Sequence, residues 1–221
     1  MKRFLLWLSE FIYPSKCAIC GKLLSKEQSD LCHSCRADTA EYPKPNIPLH
    51  HIADWRALWY YEGKVRESLL YYKFHSNGAR SRSYARLLAM RLHKEGLQFD
   101  LITWVPISRR RKHGRGFDQV ELIAKAVARE LGIPVVRTLR KHRHTPPQSS
   151  QKDAAQRRAN VLGAYNAENR KVFVGKRILL LDDIITTGAT VSECARTLLT
   201  AGAKEVLCAA IAAASHKKSK Q

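Results

Sequence analysis

The sequence has few acidic residues and no long apolar run. Its 221 residues include 19 Asp and Glu against 39 Lys and Arg, which gives a formal net charge of +20. No stretch approaches the roughly 20 consecutive apolar residues that a membrane-spanning helix needs. The charge excess favours polyanionic partners, with nucleic acid ahead of phosphorylated metabolites and of an acidic membrane surface. A basic surface without a specific partner is the alternative.

The beginning of the chain resembles the start of a signal peptide but departs from one in two features. Residues 2–13 are apolar and follow a basic start, but Glu10 interrupts the run and no small-residue cleavage site follows. We therefore expect a cytoplasmic protein in which residues 2–13 form a short helix that packs on the next segment. Docking of this helix on a membrane surface is the alternative.

Four of the six cysteines form two Cys-x-x-Cys pairs with eleven residues between the pairs. This spacing predicts a structural Zn²⁺ site with tetrahedral thiolate ligands, and four ligands leave no open position for catalysis. A pair of disulfides would need an oxidising compartment, which nothing else in the sequence supports. His33 lies inside the second pair and is an alternative ligand, whereas Cys194 and Cys208 are predicted core residues. The predicted zinc ligands are Cys17, Cys20, Cys32 and Cys35.

The rest of the chain predicts an α/β domain after a proline-rich linker at residues 42–48. We expect a zinc module with its linker at residues 1–48, an α/β domain at 49–214 and a basic tail at 215–221. With 45% hydrophobic residues, the chain has ample material for a core. Predicted strands are 55–61, 100–106, 133–139, 178–181 and 206–213. Predicted helices are 63–74, 81–94, 119–130 and 191–201, and Asp118 is the predicted N-cap of the third helix.

Residues 178–190 contain the strongest functional pattern. Four apolar residues predict a buried parallel strand that ends at Asp182 and Asp183, and a Thr- and Gly-rich turn then leads into a helix. Carboxylates accept hydrogen bonds from sugar hydroxyls or bind hydrated Mg²⁺. Hydroxyls and backbone amides at a helix N-terminus bind phosphate. The pattern predicts a phosphorylated sugar, with its phosphate at Thr186, Thr187, Gly188, Ala189 and Thr190.

A second candidate phosphate-binding segment follows the strand at residues 100–106. We predict a loop over residues 107–119, in which clustered cations and two glycines form an anion clamp at the end of a strand. The predicted anion ligands are Arg109, Arg110, Arg111, Lys112 and Arg115. Residues 140–152 are polar, basic and interrupted by prolines, which fits either a lid that closes over a ligand or a surface loop without function.

Residues 178–190 resemble the 5-phosphoribosyl-1-pyrophosphate (PRPP) loop of type I phosphoribosyltransferases. The motifs Val105-Pro106 and Arg115-Gly-Phe-Asp-Gln119, with Gln148 and residues 158–165, are similar to those of the ComF family of competence proteins. The resemblance implies a type I phosphoribosyltransferase-like parallel sheet with flanking helices, preceded by a small zinc-ribbon-like module. It also implies PRPP bound with Mg²⁺, with the ribose hydroxyls on Asp182 and Asp183 and the pyrophosphate at the basic segment.

The family resemblance implies a role in natural transformation. The expected partners are incoming single-stranded DNA, the competence helicase and other DNA-processing proteins, with a PRPP-type ligand as regulator or cosubstrate. The basic segment beside Phe117, or the zinc module with Trp7, Lys16 and Lys22, is a candidate DNA contact. The first alternative is an active phosphoribosyltransferase, and the second is a scaffold that keeps the pocket without chemistry.

Overall fold

The computed structural model describes residues 16–45, 47–75, 78–143 and 159–215. The helix predicted at residues 2–13, most of the proposed lid, Gln148 and the basic tail from residue 216 onward lie outside this part of the chain. The elements, in chain order, are α1 (His33–Asp38), β1 (Trp55–Tyr60), α2 (Gly63–Phe74), α3 (Gly78–Lys94), β2 (Leu101–Trp104), α4 (Arg109–Arg115), α5 (Gln119–Leu131), β3 (Leu139–Lys141), β4 (Tyr165–Ala167), α6 (Arg170–Phe173), β5 (Arg177–Ile185), α7 (Ala189–Thr200) and β6 (Glu205–Ala213).

A four-stranded parallel sheet forms the centre of the fold, with the order β1-β6-β5-β2. β5 is an inner strand: Leu181 pairs with Trp104 of β2 on one side and with Ala209 of β6 on the other. Its apolar residues are buried on both faces, as a parallel strand covered by helices requires. Leu179 and Leu181 belong to the core that includes α3 and α5, and Ile178 belongs to the core that includes α7.

Several predicted elements are confirmed. The helix predicted at residues 63–74 has those bounds in α2. Asp118 caps α5, and its carboxylate accepts hydrogen bonds from the Val120 and Glu121 amides at 3.1 and 3.3 Å. Cys194 and Cys208 are fully buried in the core.

The prediction of a loop over residues 107–119 is wrong, because α4 occupies most of it. Ser108 caps this helix by accepting a hydrogen bond from the Arg111 amide at 3.4 Å, and Gly116 ends it with a φ of 78°. A side-chain oxygen at the N-cap and a glycine in the left-handed region are ordinary helix boundaries. The run of adjacent cations concealed this signal.

The predicted strand at residues 133–139 is also wrong. Only Val135 forms a bridge with Ile102 of the main sheet. The Thr138 hydroxyl then donates to Thr103 Oγ1 at 2.7 Å, and the chain leaves the sheet. Leu139 begins β3, which pairs with β4 in a separate antiparallel ribbon.

β5 continues past the point where the sequence placed its end. Asp182 pairs with Ala210 and Ile185 with Ala213, so the two acids lie inside the strand and the turn begins after Ile185. The long alanine-rich strand β6 supplies backbone partners over this whole length. The described residues contain no helix that is long and apolar enough to cross a membrane.

Candidate functional site

The four predicted zinc ligands lie together. The Sγ atoms of Cys17, Cys20, Cys32 and Cys35 are all within 4.8 Å of one another. Cys20 Sγ and Cys32 Sγ are 3.7 Å apart, close to the spacing of about 3.8 Å that tetrahedral ligands with Zn–S bonds of about 2.3 Å must have. His33 is exposed, and the four thiols provide a complete donor set without it.

The electrostatics of this cluster also suit a cation. Burial opposes ionisation of Cys17, but backbone hydrogen bonds from Cys32, Cys20 and Ile19 outweigh it and lower the pKa of Cys17 to about 7. Burial and the neighbouring thiols raise the pKa of Cys35. Four thiolates at this spacing therefore require a positive charge between them, which Zn²⁺ supplies when bound.

The zinc module is attached to the sheet domain through helices α2 and α3. The Ala18 carbonyl, inside the first cysteine pair, accepts hydrogen bonds from Ser68 Oγ at 2.7 Å and from the Tyr84 hydroxyl at 3.3 Å. Arg86 Nε donates to the buried Asp30 carboxylate at 3.0 Å. These hydrogen bonds tie the module to the helices that cover one face of the sheet.

A cavity of about 570 Å³ lies at the carboxyl ends of β2 and β5. This edge of a parallel sheet is where ligands bind in α/β folds. The cavity combines two carboxylates, four cations, two threonine hydroxyls and an apolar wall. Its lining includes Asp182, Asp183, Thr186, Thr190, Lys73, Lys141, Arg111, Arg115, Gln119, Tyr61, Tyr165, Leu70, Phe74, Val105, Ile107 and Val120.

The two acids line this cavity together with Lys73, which no sequence motif marks. Lys73 Nζ lies 3.0 Å from Asp183 Oδ2. Burial and the adjacent Asp183 carboxylate raise the pKa of Asp182 well above its usual value. Burial alone would lower the pKa of Lys73, but the two carboxylates outweigh it and raise that pKa. In the free protein, a lysine ammonium therefore neutralises part of the charge of the two acids.

The predicted anion clamp is only partly inside the cavity. Arg111 and Arg115 line it, and burial and Arg115 lower the pKa of Arg111. In the described structure, Arg109, Arg110 and Lys112 are exposed and outside the lining. Lys112 instead pairs with Glu121 at 3.1 Å. Helical geometry explains this split, since Arg111 and Arg115 are four residues apart and share a helix face.

The predicted phosphate-binding turn lies between β5 and α7. Thr186 and Thr190 line the cavity, and Thr187 Oγ1 accepts a hydrogen bond from the Ala189 amide at 3.4 Å. Gly188 has a φ of 73°, and a Cβ there would collide with Leu49 Cδ2. The backbone conformation therefore favours glycine, and any other residue would also force the Leu49 side chain to move. The phosphate contacts assigned to Thr187, Gly188 and Ala189 remain predictions.

Lys73, Lys141 and Tyr165 were missed as site residues. Lys141 Nζ lies 5.2 Å from the Tyr165 ring centroid, and burial and Arg111 lower the pKa of Lys141 to about 8. Each of the three residues comes from a different element and carries no local motif. Only the side-by-side placement of α2, β3 and β4 around the sheet edge brings them to the cavity.

Two family models match the chain. A phosphoribosyl transferase domain matches residues 121–221, and a double zinc ribbon domain matches residues 8–46. Together with the parallel sheet and the four-cysteine cluster, these matches define a phosphoribosyltransferase-type α/β fold that carries an N-terminal zinc ribbon. The predicted fold class and the structural zinc module are thereby confirmed.

Curated relatives give the family. Competence protein F of Haemophilus influenzae is 30% identical over 86% of this chain and 81% of its own length. Competence protein ComFC of Streptococcus pneumoniae is 30% identical over 85% of this chain and 77% of its own length. DNA utilization protein YhgH of Salmonella typhimurium is 30% identical over 86% of this chain and 86% of its own length. The chain belongs to the ComF family, as its motifs indicated.

Proposed function

We propose that this ComF-family protein binds a PRPP-type ligand with Mg²⁺ and handles incoming single-stranded DNA during DNA uptake in the cytoplasm. The observation that carries the proposal is one cavity whose lining combines Asp182 and Asp183 with threonine hydroxyls and arginines. A phosphoribosyl pyrophosphate has the complementary groups, since its hydroxyls donate hydrogen bonds and its phosphates accept them.

Each part of the ligand has a counterpart in the cavity. The ribose hydroxyls would donate to Asp182 and Asp183. The 5-phosphate would lie at Thr186 and Thr190, where the first amides of α7 and its dipole favour an anion. The pyrophosphate would lie at Arg111 and the other cations of the lining, and Mg²⁺ held by the carboxylates would neutralise part of its charge.

The DNA-handling part of the proposal is supported by charge and by relatives. A net charge of +20 attracts a phosphate backbone. Two relatives are named for competence and a third for DNA utilization. We infer that the competence helicase and other DNA-processing proteins of transformation are the partners with which the protein acts.

An active phosphoribosyltransferase is the second candidate function. The apolar wall of Leu70, Phe74 and Val120 borders the same cavity as the acids, which leaves room for an acceptor beside the ribose. Such a reaction would form a bond from the acceptor to ribose C1 as pyrophosphate leaves. The cations of the cavity would then stabilise the leaving group.

Calorimetric titration with PRPP and Mg²⁺ tests the ligand. The Asp182→Asn/Asp183→Asn double variant should bind at least about 100-fold more weakly, because it removes two hydrogen bonds to charged acceptors at roughly 1.5–3 kcal/mol each. The two amides retain the size of the carboxyls, so the melting temperature checks folding. Full affinity in the double variant would remove the sugar-binding role from both acids.

A further inference from the structure

We propose that an aromatic patch at the mouth of the cavity stacks the bases of single-stranded nucleic acid. The patch consists of Tyr71, Phe74 and His75 at the end of α2, flanked by Arg80 and Arg115. This inference rests on the DNA-binding part of the proposed function and assigns it a surface. It replaces Phe117, which is only partly exposed, as the aromatic partner of the basic segment.

Two aromatic side chains of the patch are largely exposed to solvent. Phe74 is 69% exposed and Tyr71 is 46% exposed. His75 stacks on Tyr71 with ring centroids 4.1 Å apart and an interplanar angle of 10°. A flat ring that is already stacked on a second ring presents the kind of surface on which a base can continue the stack.

Two arginines lie against the rings of the patch. Arg80 Cζ lies 4.4 Å from the Tyr71 ring centroid, and Arg115 Cζ lies 5.5 Å from that of Phe74. Arg80 is buried and donates to the Ser68 carbonyl at 3.4 Å, so it supports the Tyr71 ring from inside. Arg115 is partly exposed, so beside Phe74 it can combine base stacking with phosphate binding. Single-stranded nucleic acid offers both of these features in every nucleotide.

The charge around the patch favours a polyanion over a protein of mixed charge. The 17 residues of α3 and the seven of α4 include no Asp or Glu. These two helices carry ten Lys and Arg residues, five in each: Arg80, Arg82, Arg86, Arg91, Lys94, Arg109, Arg110, Arg111, Lys112 and Arg115. Three of these cations pair with acids: Arg86 with Asp30, Arg91 with Glu95 and Lys112 with Glu121. Helix α4, which reaches the patch through Arg115, also carries the exposed Arg109 and Arg110, and these can contact a phosphate backbone.

The patch is continuous with the candidate ligand site. Phe74 and Arg115 line the same cavity as Asp182 and Asp183. Phe74 also directly follows Lys73, whose ammonium pairs with Asp183. A strand stacked on Phe74 would therefore lie at the entrance through which a phosphoribosyl ligand passes, so occupancy of one site should alter binding at the other.

Fluorescence anisotropy with a labelled oligothymidine tests the patch. Phe74→Ala should weaken binding about tenfold, because the variant removes one aromatic ring on which a base stacks. The slope of affinity against salt should stay as in the wild type, since this variant keeps every cation. Arg109→Ala/Arg110→Ala should instead make the dependence of affinity on salt less steep. The slope of log affinity against log salt should decrease by about 0.7 for each phosphate contact that is lost.

Met90→Ala is the matched control, since Met90 is a 67% exposed apolar side chain on α3. It should bind as the wild type does. An oligonucleotide with abasic positions should bind the wild type more weakly than oligothymidine does. This difference in affinity should be smaller for Phe74→Ala, which has lost one of the three rings.

Three results would overturn the inference. These are an unchanged affinity in Phe74→Ala, an equal loss of affinity in Met90→Ala, or polyglutamate competing as well as the oligonucleotide, which would assign the surface to an acidic peptide. If the wild type binds no oligonucleotide at all, the DNA-binding part of the proposed function fails as well.

Discussion

The zinc module and the cavity are built in different ways. The four ligands of the zinc module come from two short segments, residues 17–20 and 32–35, and their sulfurs lie within 4.8 Å of one another. The cavity takes its charged residues from α2, α4, β3 and β5, which are spread over more than 100 positions. The first region depends on a metal and the second on the packing of the sheet domain.

This comparison shows why the two regions should respond differently to damage. A small cysteine-rich module has little apolar surface to bury, so a bound metal supplies most of its folding free energy. The cavity is supported by two large clusters of buried residues, one on each face of the sheet. Removing the metal should therefore affect the module far more than the cavity.

The largest expected effect follows removal of zinc. Metal analysis should find one zinc per chain in the wild type and none in Cys17→Ser, because the variant lacks one of the four thiolate ligands. The module of this variant should then unfold, since structural zinc supplies about 10–16 kcal/mol in small modules. His33→Ala is the control and should keep its zinc, since His33 is exposed.

The same variants test the comparison itself. PRPP affinity in Cys17→Ser should stay within about threefold of the wild type if the cavity rests on the sheet domain alone. A larger decrease would mean that the hydrogen bond between Ser68 and Ala18 supports the cavity through α2. A zinc-free Cys17→Ser protein that folds normally would contradict the structural role of the metal.

Replacement of Lys73 should have an effect of intermediate size. Lys73 Nζ lies 3.0 Å from Asp183 Oδ2, so it competes with a divalent cation for this carboxylate. Lys73→Ala should tighten Mn²⁺ binding to the free protein about tenfold, because a positive charge beside the acids is removed. Electron paramagnetic resonance of Mn²⁺ measures this directly.

Lys125→Ala is the matched control for Lys73→Ala. Lys125 pairs with Glu121 at 2.6 Å and lies outside the cavity lining, so this variant removes the same charge at another place. Equal Mn²⁺ affinity in Lys73→Ala and in the wild type would show that Lys73 does not compete for the cation.

The smallest expected effect is the pH dependence that Lys141 gives to ligand binding. Burial and Arg111 lower the pKa of Lys141 to about 8, and only the protonated amine attracts phosphate. PRPP affinity should fall by up to about tenfold between about pH 7 and pH 9, as the free amine loses its proton. Lys141→Arg should remove this dependence, because a guanidinium keeps its charge. A profile that is equally steep in the arginine variant would assign the dependence to another group.

Local patterns explain what could be predicted from the sequence. Paired cysteines, the apolar run before Asp182 and the glycine after Thr187 each lie within a few residues. They predicted the zinc ligands, the central strand and the turn before α7. The α/β class of the fold could also be predicted, because the apolar residues of strands and of amphipathic helices recur along the sequence with characteristic spacings.

Non-local features explain what could not be predicted. Lys73 and Lys141 become site residues only because α2 and β3 pack beside the end of β5. The β5 strand continues through Asp182 because β6 offers it partners, which its own sequence does not reveal. Within the basic segment, helix formation by α4 decides which cations face the cavity, and a prediction of a loop could not make that distinction.

The central claim is that one ComF-family chain joins a phosphoribosyl site to a DNA-binding surface. The most direct test is oligonucleotide binding at about 50 mM and 200 mM salt, with and without PRPP and Mg²⁺. It compares the wild type with the Asp182→Asn/Asp183→Asn variant. The account predicts that binding persists at the higher salt and that PRPP changes it only in the wild type. Disappearance of all DNA binding at the higher salt, with PRPP still bound, would contradict the claim and reduce the net charge of +20 to a nonspecific field.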